Sequence, residues 1–150
     1  MLVKEIMTRE VKTARPDSKV SEVAIVMCFN KISGMPVIDD AGTIVGIISE
    51  KDILGGMFPN LGDFMASERL PSFESLEKAY RDVVNLRVAD LMKRNVATVR
   101  PDMPVLKAAS IMFLRQFRRM PVAENGRLVG IISIGDVHKA IFQETFGNRP

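Results

Sequence analysis

Apolar residues at Val20, Val23, Ala24, Met27 and Cys28 follow helical spacing, and the same spacing returns at Val105, Ala108, Ala109, Met112 and Phe113. Before each series runs a short alternating stretch that stops near a proline: Val11-Lys12-Thr13 ahead of Pro16, and Val96-Ala97-Thr98-Val99 ahead of Pro101. Both read as short edge-type strands. Ser18 and Met103 stand where a helix cap belongs, with Pro104 at the first helical position of the second series. Met35-Pro36-Val37-Ile38 and Met120-Pro121-Val122-Ala123 read as strands. An Asp/Gly turn joins the first to Ile44–Ile48 and an Asn-Gly turn joins the second to Leu128–Ile132, making two hairpins. A further helix begins at Ser49 and at Ser133. The predicted order is strand, helix, strand, strand, helix, twice.

The likeness of the two series extends to residue identity. Displaced by 85 positions, Val3, Met7, Val11, Thr13, Pro16, Asp17, Val20, Ala24, Met27, Met35, Pro36 and Val37 meet identical residues. One position is lost in the turn, after which Val45, Gly46, Ile47, Ile48, Ser49 and Asp52 meet Val129, Gly130, Ile131, Ile132, Ser133 and Asp136. The chain is an internal repeat. The fold class is α+β, with βαββα repeats over 1–54 and 88–146. A single copy of about 50 residues buries too little surface to be more than marginal alone, so the copies are expected to pair about a pseudo-twofold axis into one module. Between them, 55–87 reads as an insert that opens with the breakers Gly55-Gly56, Pro59-Asn60 and Gly62. Pro71-Ser72 then introduces an amphipathic helix with Phe73, Leu76, Ala79, Tyr80, Val83 and Val84 on one face, expected to pack on the module or dock a partner.

Composition narrows the functional classes. The chain has 150 residues, of which 47% are hydrophobic, too many for disorder. The longest apolar run, Val23 to Phe29, falls far short of the ~20 residues that span a bilayer. No basic segment leading into an apolar stretch opens the chain, so no secretory signal is expected. The single cysteine, Cys28, precludes an internal disulfide and fits a reducing cytoplasm. Its place in the apolar helical register reads as core rather than nucleophile. A net charge of +3, with a pI near 9.2, suits anionic small molecules and does not by itself indicate nucleic acid. His138 is the only histidine and lacks companions for a metal site, so it is expected on the surface of the last helix. Without a Ser-His-Asp set, a metal motif or a phosphate loop, the sequence argues against catalysis, and neither catalytic nor metal-ligating residues are assigned.

The most informative segments are Gly46-Ile47-Ile48-Ser49-Glu50-Lys51-Asp52 and Gly130-Ile131-Ile132-Ser133-Ile134-Gly135-Asp136. In each, a buried strand enters a helix through a serine, and a carboxylate follows three positions later. One reading is a capping box, with Ser at the N-cap and Asp at the third helical position. The other uses the same geometry for a ligand, with phosphate near the helix N-terminus and the Ser hydroxyl, and a ribose diol donating to the Asp. The two are compatible. Met35-Pro36 and Met120-Pro121 offer a candidate apolar slot for an aromatic ring. Thr13 and Thr98 end the leading strands, where backbone groups can read a purine edge.

Together these features resemble a tandem pair of cystathionine β-synthase (CBS) domains, the Bateman module, over residues 1–54 and 88–146. The resemblance implies adenosine compounds (AMP, ADP, ATP or S-adenosylmethionine) bound in clefts between the copies as regulatory ligands, with no cofactor required. Asp would hold the ribose, Ser approach the phosphate, and the Met-Pro and Thr positions bracket adenine. Carried over, one site uses Thr13, Met35, Pro36, Ser49 and Asp52, the other Thr98, Met120, Pro121, Ser133 and Asp136. It further implies a homodimer that signals to a regulated protein whose identity the sequence leaves open.

Ahead of Met-Pro the copies differ, Ser33-Gly34 against Arg118-Arg119, with Arg115 a helical turn earlier. Guanidinium groups suit phosphate, so Arg118 or Arg119 is expected to contact a bound phosphate chain; the alternative is a solvated basic patch. Two rival functions remain. One is a ligand-free dimerisation or interaction scaffold whose Ser/Asp pairs are only caps. The other is a nucleic-acid binder using the Arg115–Arg119 cluster, which would lack a stripe of stacking aromatics. No membrane association is expected.

Overall fold

A computed structural model describes residues 1–58 and 72–147. The breakers Pro59-Asn60 and Gly62, and Pro71 ahead of the insert helix, lie outside the described residues. Along the chain run α1 (Val3–Ile6), α2 (Val20–Asn30), β1 (Gly34–Ile38), β2 (Ile44–Ser49), α3 (Glu50–Gly55), α4 (Phe73–Val84), α5 (Val88–Leu91), α6 (Val105–Arg115), β3 (Arg119–Glu124), β4 (Arg127–Ser133) and α7 (Ile134–Phe146). Helices and two-stranded antiparallel hairpins together give the expected α+β class.

The elements gather into two compact units whose borders cross the repeats. The first comprises Met1–Lys12, Asp40–Ile44 and Val96–Pro150; the second comprises Thr13–Asp39 and Val45–Asn95. Thus α1, at the head of repeat one, belongs to the unit that carries the body of repeat two, and α5 belongs to the unit that carries the body of repeat one. Four-residue helices span barely one turn, too short for a periodic signature, and neither was expected from sequence.

In the first unit, β3 pairs antiparallel with β4, Met120 opposite Ile132 and Val122 opposite Gly130, with a register shift before Ala123. The turn between them places Asn125 and Gly126 at φ 54° and 79°, the left-handed pair that a tight two-residue hairpin turn requires. The leading strand contributes a single parallel bridge, Val99 to Val122, because Pro101 ends the run two residues on. The core joins Val3, Val99, Val105, Ala108, Met112, Met120, Val122, Ile132 and Val137, all buried. Met7-Thr8 lies along β4, and Thr8 exchanges both backbone bonds with Ile131 at 2.9 Å. That approach needs a glycine: a Cβ on Gly130 would stand 2.7 Å from Met7 Sδ and 2.9 Å from the Thr8 carbonyl oxygen.

The second unit repeats this plan. Its leading strand is again one parallel bridge, Ala14 to Val37, and Lys93 pairs with Ile47 through two 2.9 Å bonds. Gly46 allows Met92 and Lys93 the same close approach. Val20, Val23, Met27, Met35, Val37, Ile48, Ile53, Val83, Val88 and Met92 form its core. The insert helix α4 starts at Ser72, whose side chain accepts from Ser75 N–H, and it packs on α2 and α3. Val83 is buried there and Tyr80 and Val84 are partly covered, while Phe73, expected on the same face, is 75% exposed.

Three sequence expectations need correction. Helices α2 and α6 start one residue later than read, with Lys19 and Pro104 as N-caps in place of Ser18 and Met103, and neither cap makes a side-chain bond. Cys28 is exposed rather than buried, and its counterpart Phe113 is 71% exposed. The continuous apolar run Val23–Phe29 hides which stripe faces inward, and the helix turns Val23 and Met27 to the core instead.

Candidate functional site

Each hairpin ends by turning into a helix at serine, as expected. Strand β2 delivers Ser49 as the N-cap of α3, and β4 delivers Ser133 as the N-cap of α7. Both form complete capping boxes. The Ser49 N–H donates to Asp52 Oδ2 at 2.9 Å, and the Asp52 N–H donates to Ser49 Oγ at 3.2 Å. The Ser49 hydroxyl also donates to Asp52 Oδ2 at 2.9 Å. In the second copy the Ser133 N–H donates to Asp136 Oδ2 at 2.9 Å and the Asp136 N–H to Ser133 Oγ at 3.0 Å. A box of this kind is worth about 1 kcal/mol to the helix start. It spends one carboxylate oxygen and holds the other in a fixed direction.

The residues ahead of the Met-Pro pair belong to the same corner. Arg119 lies opposite Ser133 in the β3–β4 register, and the Arg118 carbonyl accepts from the Ile134 N–H at 2.9 Å. The structure therefore gathers Arg118, Arg119, Ser133 and Asp136 at the entrance to α7. Arg118 is exposed and Arg119 half-buried. In the second unit Ser33 takes the place of Arg118, its carbonyl accepting from the Glu50 N–H at 2.9 Å, and Gly34 takes the place of Arg119. Two donors at the α7 start, the N–H groups of Ile134 and Asp136, are taken by Arg118 and Ser133 within the chain.

Met35 and Met120 are each 1% exposed, and Pro36 and Pro121 are buried beside them. All four are buried in this conformation, because strands β1 and β3 run through the middle of their units. Thr13 and Thr98 are exposed. Thr98 opens onto a 580 Å³ groove with Lys4, Arg9, Arg100, Asp102 and Glu124, which Ser133 and Asp136 do not line. In that groove Arg100 pairs with Asp102 at 3.2 Å.

One charged contact was missed in the sequence. Lys93 Nζ lies 3.6 Å from Asp52 Oδ1. Comparing the copies position by position would have shown the difference, since Lys93 falls on Thr8. His138 is exposed on α7, and the described residues contain no group of metal-ligating side chains. Among the described residues no helix is long and apolar enough to cross a membrane.

Comparison with known proteins agrees with this construction. The model of the CBS domain matches twice, over residues 3–58 and 88–143. The uncharacterized protein MJ1426 of Methanocaldococcus jannaschii is 32% identical, with 94% of this chain aligned to 91% of that protein. The chloroplastic CBS domain-containing protein CBSX2 of Arabidopsis thaliana is 28% identical, and the aligned region is 90% of this chain but only 60% of that longer protein. The crystal structure of CBSX2 in complex with AMP matches with a TM-score of 0.75 and 28% identity, over 96% of this chain and 98% of that one. The CBS domain pair of protein MJ0100, in complex with 5-methylthioadenosine and S-adenosyl-L-methionine, matches with a TM-score of 0.67 and 25% identity over 94% and 99% of the two chains. With two copies of the repeat, each ending its hairpin in a capped Ser-x-x-Asp turn, the chain belongs to the CBS domain family as a tandem pair.

Proposed function

We propose that the chain is a regulatory module that binds adenosine-containing ligands at its two Ser-x-x-Asp turns and carries out no reaction itself. The observation that carries this reading is the corner at the start of α7, where Ser133, Asp136, Arg118 and Arg119 come together. A carboxylate with one oxygen fixed by the cap keeps the other for a diol, which can only donate to it. Arginine beside a helix N-terminus suits the phosphate of the same molecule. The AMP bound to CBSX2 and the S-adenosyl-L-methionine bound to MJ0100 are of the same chemical class. AMP, ADP, ATP and S-adenosylmethionine are accordingly the ligands proposed here.

Binding acts on a partner only as far as the ligand prefers one of two conformations. Pairing with a second copy is part of the proposal: Phe113 and Leu114 on α6 and Phe142 and Phe146 on α7 are exposed, apolar side chains that a second copy would cover. A reducing cytoplasm is the proposed setting. The experiment is calorimetric titration of the purified chain with the four ligands, repeated with Asp52→Ala and Asp136→Ala. Each substitution should abolish binding at one site. No heat and no thermal shift with any of the four would leave the Ser/Asp pairs as caps alone and favour the scaffold reading, which the capping geometry already accommodates.

A further inference from the structure

Thr8 and Lys93 occupy the same place in the two units. Each exchanges two 2.9 Å backbone bonds with an isoleucine, Ile131 and Ile47 respectively, and each of those isoleucines stands two residues ahead of the capping serine. The frame is shared, and only the side chain differs. From this position Lys93 reaches Asp52 Oδ1, 3.6 Å away. Thr8 carries no charge, and among the described residues no cation pairs with Asp136. Since Oδ2 of either aspartate is committed to the capping N–H at 2.9 Å, Oδ1 is the atom left to a ligand. In one copy that atom already faces an ammonium group, and in the other it does not.

The geometry points to Lys93 as a specificity-determining residue that makes the two sites unequal. A ribose diol at Asp52 competes with the ammonium for Oδ1, so a neutral nucleoside fills the Asp136 site first. This inference rests on the adenosine reading above. The contact is a tether rather than a lock. The Lys93 side chain is 65% exposed against 10% for Asp52, and exposed ion pairs of this kind correspond to about a twofold to fivefold change in an equilibrium. Added salt screens such a pair, which gives the effect an unusual sign, because salt should strengthen binding of an uncharged ligand at Asp52.

Adenosine is the probe, since it has no phosphate for the freed ammonium to meet. Asp136→Asn leaves only the Asp52 site to titrate, and Asp52→Asn leaves only the Asp136 site. Calorimetry should show weaker adenosine binding to the first variant than to the second. Adding Lys93→Thr to Asp136→Asn should tighten adenosine binding about twofold to fivefold and remove its strengthening by salt. Adding Thr8→Lys to Asp52→Asn should weaken it. Binding by both single-site variants that ignores residue 93 overturns the role of Lys93 and leaves the adenosine reading standing. No adenosine binding by the wild type or either variant overturns the adenosine reading and this inference with it.

Discussion

Replacing Gly130 with alanine tests how the leading segment is held. The added methyl would stand 2.7 Å from Met7 Sδ and 2.9 Å from the Thr8 carbonyl oxygen. The methionine can rotate away, but the carbonyl belongs to a backbone tied to Ile131 by two bonds. Either that pair separates or β4 shifts against β3. Losing two backbone bonds costs about 1 kcal/mol each, and overpacking a filled core costs about 1–3 kcal/mol. Partial relaxation trades one cost against the other, so the expected loss is about 2–4 kcal/mol. Against a typical stability of about 5–15 kcal/mol, urea unfolding should show a clear fall in midpoint at an unchanged slope. Gly55→Ala is the control: nothing lies within 4 Å of its added methyl, and at the end of α3 it should be neutral or stabilise by up to about 1 kcal/mol. A Gly130→Ala protein within about 0.5 kcal/mol of wild type would refute the close approach of Thr8 to β4.

Three further outcomes are expected. Asp136→Ala removes the acceptor of the Ser133 N–H and should cost about 1 kcal/mol in urea unfolding, whereas Asp136→Asn, which keeps an oxygen acceptor there, should cost less. Changing Arg118 and Arg119 together to alanine should weaken AMP and ATP more than adenosine in calorimetry; equal losses would remove their phosphate role. Cys28, exposed on α2, should react with a thiol reagent in the folded protein without denaturant, and protection until unfolding would contradict its exposure.

The parts legible in the sequence are those that local chemistry dictates. The Asn125-Gly126 turn needs two positive φ values, and the Ser-x-x-Asp spacing is itself the capping box, so hairpins and second helices could be placed within a residue or two. Tertiary choices were not legible. Nothing in Val3–Ile6 or Val88–Leu91 says that each helix joins the unit built from the other repeat's body, because four residues carry too little pattern to show a face. Cys28 was misplaced because α2 is apolar nearly all round. The burial of Met35 and Met120 was not legible either, because a methionine before proline looks the same in sequence whether its strand is central or at an edge. Lys93 escaped notice because its importance lies in the contrast with Thr8 and in a reach across from another element.

The most direct test of ligand binding at the capped turns is an amide NMR titration of the chain with AMP, following every assigned residue. Shift changes centred on Ser49–Asp52 and on Arg118, Arg119 and Ser133–Asp136 are the predicted result. Changes confined to the groove around Thr98, Arg100 and Glu124, or no changes at all, would contradict it.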